Sequence, residues 1–236
     1  MRRLPSYPNP LLDGWRLPEG VPRPNLWYRF CRYGYQILAA MMWRLEVFNR
    51  HIEPASGSVL YLCNHQSFLD PALMGMGLRR PVNYMARDSL FRNPLFGRFI
   101  ASLNAFPVKR GQADTGAMKE ALRRLKAGGQ LVVFPEGTRT RDGTIGPFLP
   151  GVSLLARRAA DWVVPMVIDG AFEAWPRTSP LPRPRHVEVA YCRPLGREDI
   201  ARLTGEEILD LARRRMIDMQ TELRRRLGRP KLEYGA

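Results

Sequence analysis

From about residue 57 the chain alternates short apolar runs with helix-like segments, and that alternation admits few folds. Ser58 to Cys63 and Gln130 to Phe134 are apolar almost throughout, as in strands buried on both faces. Val82 to Ala86 and Trp162 to Ile168 read as further strands, and Phe106 to Val108 as a short extended piece. His186 to Cys192 alternates Val187, Val189 and Tyr191 with Glu188 and Ala190, which predicts a strand with one more exposed face. Helices are expected over Asp70 to Leu78, over Pro94 to Leu103 with proline in the first turn, and over Gly151 to Ala160. Met118, Ala121, Leu122 and Leu125 recur at helical spacing until Gly128-Gly129 stops them. Thr204 and Glu207 form a capping box before a stripe of Ile208, Leu211, Ala212, Met216, Met219, Leu223 and Leu227, and Arg224 to Arg226 suit the negative helix end. Strands alternating with helices predict an α/β fold: a mostly parallel central sheet flanked by helices.

In such sheets ligands gather beyond the carboxyl ends of the strands. Two polar motifs fall there. Asn64-His65-Gln66-Ser67-Phe68-Leu69-Asp70 follows the first strand, and Phe134-Pro135-Glu136-Gly137-Thr138-Arg139-Thr140 ends a later one. Histidine suits proton transfer near neutrality, and a carboxylate bonded to one ring nitrogen fixes the tautomer. His65 and Asp70 are therefore the candidate base and its partner, acting on a substrate hydroxyl. The same spacing also suits a helix start capped by Asp70 or Ser67. In the second motif Gly137 lets backbone amides approach an anion, and Arg139 suits a phosphate gripped through two parallel bonds. A plain turn with Glu136 and Arg139 paired is the simpler alternative. Val108-Lys109-Arg110-Gly111 adds basic residues after another strand. His51 and His186 have no carboxylate at such an offset and read as surface or structural.

The amino-terminal fifth differs in composition. Residues 1–24 carry Pro5, Pro8, Pro10, Pro18, Pro22 and Pro24 and predict an extended arm. Residues 25–50 predict an amphipathic helical segment in which Trp27, Tyr28, Phe30, Tyr33, Tyr35 and Trp43 interleave with arginines, the composition of a helix lying in a membrane interface. A helix packed on its own domain with arginine heads in water is the alternative. The uncharged centre of this segment is too short to span a bilayer. Pro5, Pro8 and Pro10 interrupt the place where a secretory signal needs an apolar core.

The chain carries a formal charge of +15 over 236 residues. Such a surface attracts polyanions, whether nucleic acid, anionic membrane or phosphorylated ligands. No nucleic-acid recognition motif stands out. Three cysteines without CxxC spacing argue against a disulfide framework or zinc ribbon and fit a reducing compartment. Cys63 and His65 offer only two ligands between them, so no metal is expected there.

The motifs resemble those of the glycerolipid acyltransferases of the 1-acylglycerol-3-phosphate acyltransferase type. The first block, N-H-x-x-x-x-D, is matched by Asn64, His65 and Asp70. The second, a short apolar stretch ending in arginine, is resembled by Phe106 to Arg110. The third, F-P-E-G-T-R-S, is matched by Phe134 to Arg139 with Thr140 for serine, and the fourth is resembled by Val164-Pro165-Met166-Val167. The resemblance covers about residues 45–195. It implies an acyltransferase domain over residues 51–236, with His65 as general base and Asp70 as its orienting partner. Arg110, Glu136, Gly137, Thr138 and Arg139 would shape the acceptor and phosphate site, with Val164 and Pro165 as walls. The donor would be an acyl thioester of coenzyme A or acyl carrier protein, with no cofactor or metal. The acceptor would be a lysophospholipid, above all 1-acylglycerol-3-phosphate giving phosphatidic acid, at the cytoplasmic face of an anionic membrane. The chain departs from the family pattern at Leu149, where many members carry a basic residue in P-F-K-x-G. A polyanion- or lipid-binding protein without catalysis is the alternative reading of the basic surface.

Overall fold

In a computed structural model, residues 24–109 and 114–234 are described. The expected arm, except for its last residue, lies outside them, as does Arg110. The elements in chain order are α1 (Leu26–Trp43), β1 (Glu46–Phe48), β2 (Val59–Cys63), α2 (Asp70–Gly77), β3 (Val82–Arg87), α3 (Pro94–Ser102), β4 (Ala105–Val108), α4 (Thr115–Lys126), β5 (Gln130–Val133), α5 (Val152–Ala159), β6 (Trp162–Asp169), α6 (Ala171–Ala174), β7 (Glu188–Tyr191), β8 (Leu195–Gly196), α7 (Arg197–Arg202) and α8 (Gly205–Arg226).

One sheet orders the strands β1-β7-β6-β2-β5-β3-β4, with β8 also paired to β6. The ladders β6–β2, β2–β5, β5–β3 and β3–β4 are parallel, and so is β7–β1, while β6 runs antiparallel to β7 and β8. The expected α/β fold is therefore present, with an antiparallel junction at β6–β7.

The pleat divides β2 between two cores. Val59, Tyr61 and Cys63 pack with α1, α2 and α6, whereas Leu60 and Leu62 pack with α4, α5 and α8. β2 is wholly buried, which is why its sequence lacks polar alternation. β7 is also wholly buried, so the expected exposed face is absent. The face expected to be exposed is covered by α8, whose Met216 and Leu223 pack with Ala190 and Phe48, while β1 pairs with the outer edge of β7 from Glu46↔Glu188 to Phe48↔Ala190. That three-residue strand lies inside the segment read as helical, so a boundary at residue 50 falls within the sheet.

α1 buries two polar side chains beside Tyr28, Ala39 and Trp43. Its buried residues include Arg32 and Gln36, whose side chains donate to the carbonyls of Leu78 and Met76 at the end of α2. Those bonds satisfy groups a helix terminus leaves open. Leu26, Phe30 and Met41, at 81%, 70% and 79% exposure, face outward with Trp27, Ile37 and Leu38. The Trp27 indole donates to Ser102 Oγ at 2.9 Å, which joins this face to α3, where Leu95, Phe96 and Phe99 are also exposed. Among the described residues no helix is long and apolar enough to cross a membrane.

Candidate active site

β2, β5, β3 and β4 end at one edge of the sheet, so His65, the Glu136–Arg139 turn, Arg87 and Lys109 all emerge along it. The chain leaves the sheet at Asn64, whose side chain replaces a peptide unit. Its Oδ1 accepts from Ile168 N–H at 2.8 Å and its Nδ2 donates to Ile168 O at 2.9 Å. The ladder to β6 is thus completed by an amide side chain while the backbone turns toward His65.

The turn closes on Asp70, which is fully buried. Asp70 Oδ2 accepts the backbone N–H groups of Gln66 and Ser67 at 2.6 and 2.7 Å and lies 2.7 Å from His65 Nδ1. An oxygen holding two N–H donors requires a donor from the ring as well, so Nδ1 carries the proton and Nε2 carries the lone pair. Helix-start capping by Asp70 is not observed: α2 has no side-chain cap, and Asp70 folds back onto its own turn. Phe134 stacks on the His65 ring with centroids 4.3 Å apart. Ser67 Oγ donates to Trp175 O, and the Gln66 amide bridges Gly143 O and Phe172 N. Every polar residue of the first motif is therefore engaged in holding the loop.

Glu136 joins the two motifs. Its Oε1 accepts from His65 N–H and its Oε2 from Gly146 N–H, both at 2.9 Å. Thr140 N–H donates back to His65 O at 2.8 Å. Burial pushes the Glu136 carboxyl up to about 7, against the opposing pull of these two donors. Both its oxygens face backbone, so Glu136 fixes the main chain at His65 and Gly146. No Glu136–Arg139 ion pair forms; the Arg139 guanidinium instead lies 3.5 Å from the centroid of the Phe68 ring, which also meets Trp175. Gly137 has φ +68°, and Leu149 lies directly over it, its N–H bonded to Pro135 O. Thr138 is exposed beside Arg139. The structure thus gathers His65, Asp70 and Glu136 to Arg139 at one edge.

Val164 and Pro165 lie in β6, beside Tyr61 and Leu62 of β2. Cys63, at the end of β2, is fully buried, and burial pushes its thiol well above its ordinary range, so it offers no thiolate nucleophile. Sequence reasoning missed the supports that come from afar. Arg213 donates to Ile145 O and Gly146 O, and Gln220 donates to Gly143 O, so α8 holds the loop that holds Glu136. The regular helical stripe of α8 gives no sign of this.

A tautomer-fixed histidine at the carboxyl edge, beside a glycine turn and a guanidinium, is equipped to activate a hydroxyl near an anion. Residues 44–169 match the family described as Acyltransferase, and the chain belongs to that family: it is an O-acyltransferase. Among curated relatives it is 27% identical to a 1-acyl-sn-glycerol-3-phosphate acyltransferase of Bacillus subtilis (strain 168) over 183 residues, which cover 77% of this chain and 89% of that protein. It is 29% identical to the enzyme of that name from Cocos nucifera over 172 residues, 71% of this chain and 56% of that one. The fold matches the crystal structure of the 1-acyl-sn-glycerophosphate (LPA) acyltransferase PlsC from Thermotoga maritima, with TM-score 0.71 at 22% identity, over 83% of this chain and 79% of that one.

Proposed function

We propose that this chain transfers a fatty acyl group from a thioester of coenzyme A or acyl carrier protein to the free hydroxyl of 1-acylglycerol-3-phosphate, giving phosphatidic acid. The observation that carries the mechanism is the Asp70 carboxylate, which bonds His65 Nδ1 and two backbone amides at once. His65 Nε2 removes the hydroxyl proton as the oxygen attacks the thioester carbonyl. The C–S bond then breaks, and the imidazolium returns the proton to the departing thiolate. This sequence balances with no cofactor beyond the thioester.

Arg139 and Thr138, on the Gly137 turn, are proposed to receive the acceptor's phosphate, together with Arg110, which follows β4 in the sequence. Glu136 acts through His65 by fixing its backbone. The outward apolar face of α1 and α3 supports docking on an anionic membrane, which would also occupy the basic surface in place of nucleic acid. The enzyme would then work from the cytoplasmic face as a peripheral or monotopic protein. Leu69, Leu73, Met74 and Met76 are buried core, whereas Leu95, Phe96 and Phe99 lie outside, free to meet acyl chains.

The test is His65→Ala, assayed with an acyl thioester and 1-acylglycerol-3-phosphate, with products identified by mass spectrometry. Turnover should fall by roughly 10²–10⁴ with an unchanged melting profile. Near-normal turnover overturns the mechanism.

A further inference from the structure

At the same edge of the sheet as the reaction centre, beyond β6, three acidic side chains stand in one cross-strand row. Glu46 of β1 is the register partner of Glu188 of β7, which in turn partners Asp169 of β6. Directly paired residues project from the same face, so three like charges lie side by side, which destabilises a sheet unless they are neutralised. The two outer acids are. Asp169 is bonded by Arg224 and Arg229 from the end of α8 and beyond, and by Gln220. Glu46 Oε2 lies 3.8 Å from Arg226. The middle one makes no such bond: Glu188 is 0% exposed, and neither carboxylate oxygen has a hydrogen-bond partner among the described residues.

His186, two residues before Glu188, stands next to it. Its Nε2 is buried without a hydrogen bond and lies 3.3 Å from Glu46 Oε1. One ligand atom from each of Glu46, His186 and Glu188 fits within a mutual separation of 4.8 Å. Three atoms so placed all lie within about 2.8 Å of a common point, and a small inward rotation of the side chains reaches the 2.0–2.2 Å of zinc–nitrogen and zinc–oxygen bonds.

We propose that Glu46, His186 and Glu188 form a zinc site, separate from the reaction centre, that pins β1 to β7. The arginines around it are already committed. Arg224 and Arg229 hold Asp169, Arg229 also donates to His186 O, and Arg226 lies over the Phe48 ring. With Arg44 they raise the local potential, which disfavours weakly held Mg²⁺ or Ca²⁺ and leaves the mixed imidazole and carboxylate set to a transition-metal dication. Three protein ligands leave a fourth position for water. β1 connects α1 to the sheet, so the ion fastens the helix with the outward apolar face.

The test uses the full chain, stripped with a chelator and titrated with zinc sulfate against a chromophoric zinc chelator. One zinc per chain should bind, with affinity at least about tenfold weaker in Glu188→Gln and in His186→Gln, and lost in the double variant. Glu188→Gln replaces an unpaired buried charge with a neutral isostere and should fold. Glu46→Gln, at a half-exposed position, supplies a further weakened variant. Zinc should also raise the melting temperature of the parent protein and not that of the double variant. Equal zinc binding by the parent and the double variant overturns the proposal, as does the absence of binding at micromolar zinc.

Discussion

Asp70→Asn isolates what the carboxylate contributes to the reaction. Asparagine preserves the shape, and its amide oxygen can take the place of Oδ2, keeping the N–H groups of Gln66 and Ser67. What disappears is the negative charge facing the imidazolium that forms as the acceptor loses its proton. Nδ1 and Oδ2 are 2.7 Å apart, which puts the charge centres about 4 Å apart. At an effective dielectric constant near 20 that attraction is about 4 kcal/mol, and the retained neutral hydrogen bond returns about 1 kcal/mol. A net loss of about 3 kcal/mol corresponds to roughly 10² in rate. The assay follows thiol release from an acyl thioester with saturating 1-acylglycerol-3-phosphate, alongside thermal unfolding, where a shift of only a few degrees is expected. Asp70 acts through His65, so adding Asp70→Asn to a His65→Ala background should cost little more. Activity of the single variant within threefold of the parent, or a full additional loss in the double variant, refutes the reasoning.

Glu136 makes stability depend on pH. Its carboxyl titrates near 7 when folded and near 4.5 when unfolded, so between those values the native state keeps a proton that the unfolded chain has released. Its contribution therefore falls as pH rises through that window, by up to about 3 kcal/mol. Urea unfolding of the parent at about pH 5 and about pH 8 should show this loss, and Glu136→Gln should show a smaller one, keeping the share due to Glu188, whose carboxyl is also pushed up to about 7 by burial; equal losses contradict the assignment. Glu136→Gln should also lower turnover, since an amide cannot accept from both His65 N–H and Gly146 N–H, whereas unchanged kcat would show that the latch is dispensable. Replacing Leu26, Phe30 and Met41 together by serine should weaken sedimentation with anionic vesicles while leaving the melting temperature nearly unchanged, because these side chains are already exposed. Vesicle binding equal to that of the parent would remove α1 from the docking surface.

The parts of the fold that sequence reveals are those whose cause is local. β2 and β5 announce themselves by unbroken apolar runs, and α4 and α8 by spacing and caps. β1 does not, because three residues carry no period and its strand exists only through pairing with β7, some 140 residues away. Burial of Glu188, which alternation alone assigns to solvent, comes with the packing of α8 over that face of β7, and the β1 pairing brings Glu46 to His186, which the sequence leaves without a carboxylate. β8, α6 and α7 are too short for a pattern to show. At the site, the His65–Asp70 contact was legible from a five-residue offset because a turn of that length brings the carboxylate back. The role of Glu136 was not, since its partners are a backbone amide 71 positions earlier and another ten positions later.

The order in which these parts are synthesised follows from the same geometry. The carbonyls of Gly143, Ile145 and Gly146 are held by Gln220 and Arg213, both on the last helix. Asn64 to Asp70 and Phe134 to Thr140 are translated well before those donors exist. On the ribosome, the two motifs emerge first and wait for α8 to clamp them. The reaction centre is thereby coupled to synthesis of α8, and a fragment that stops before that helix carries the motifs without the brace that steadies them.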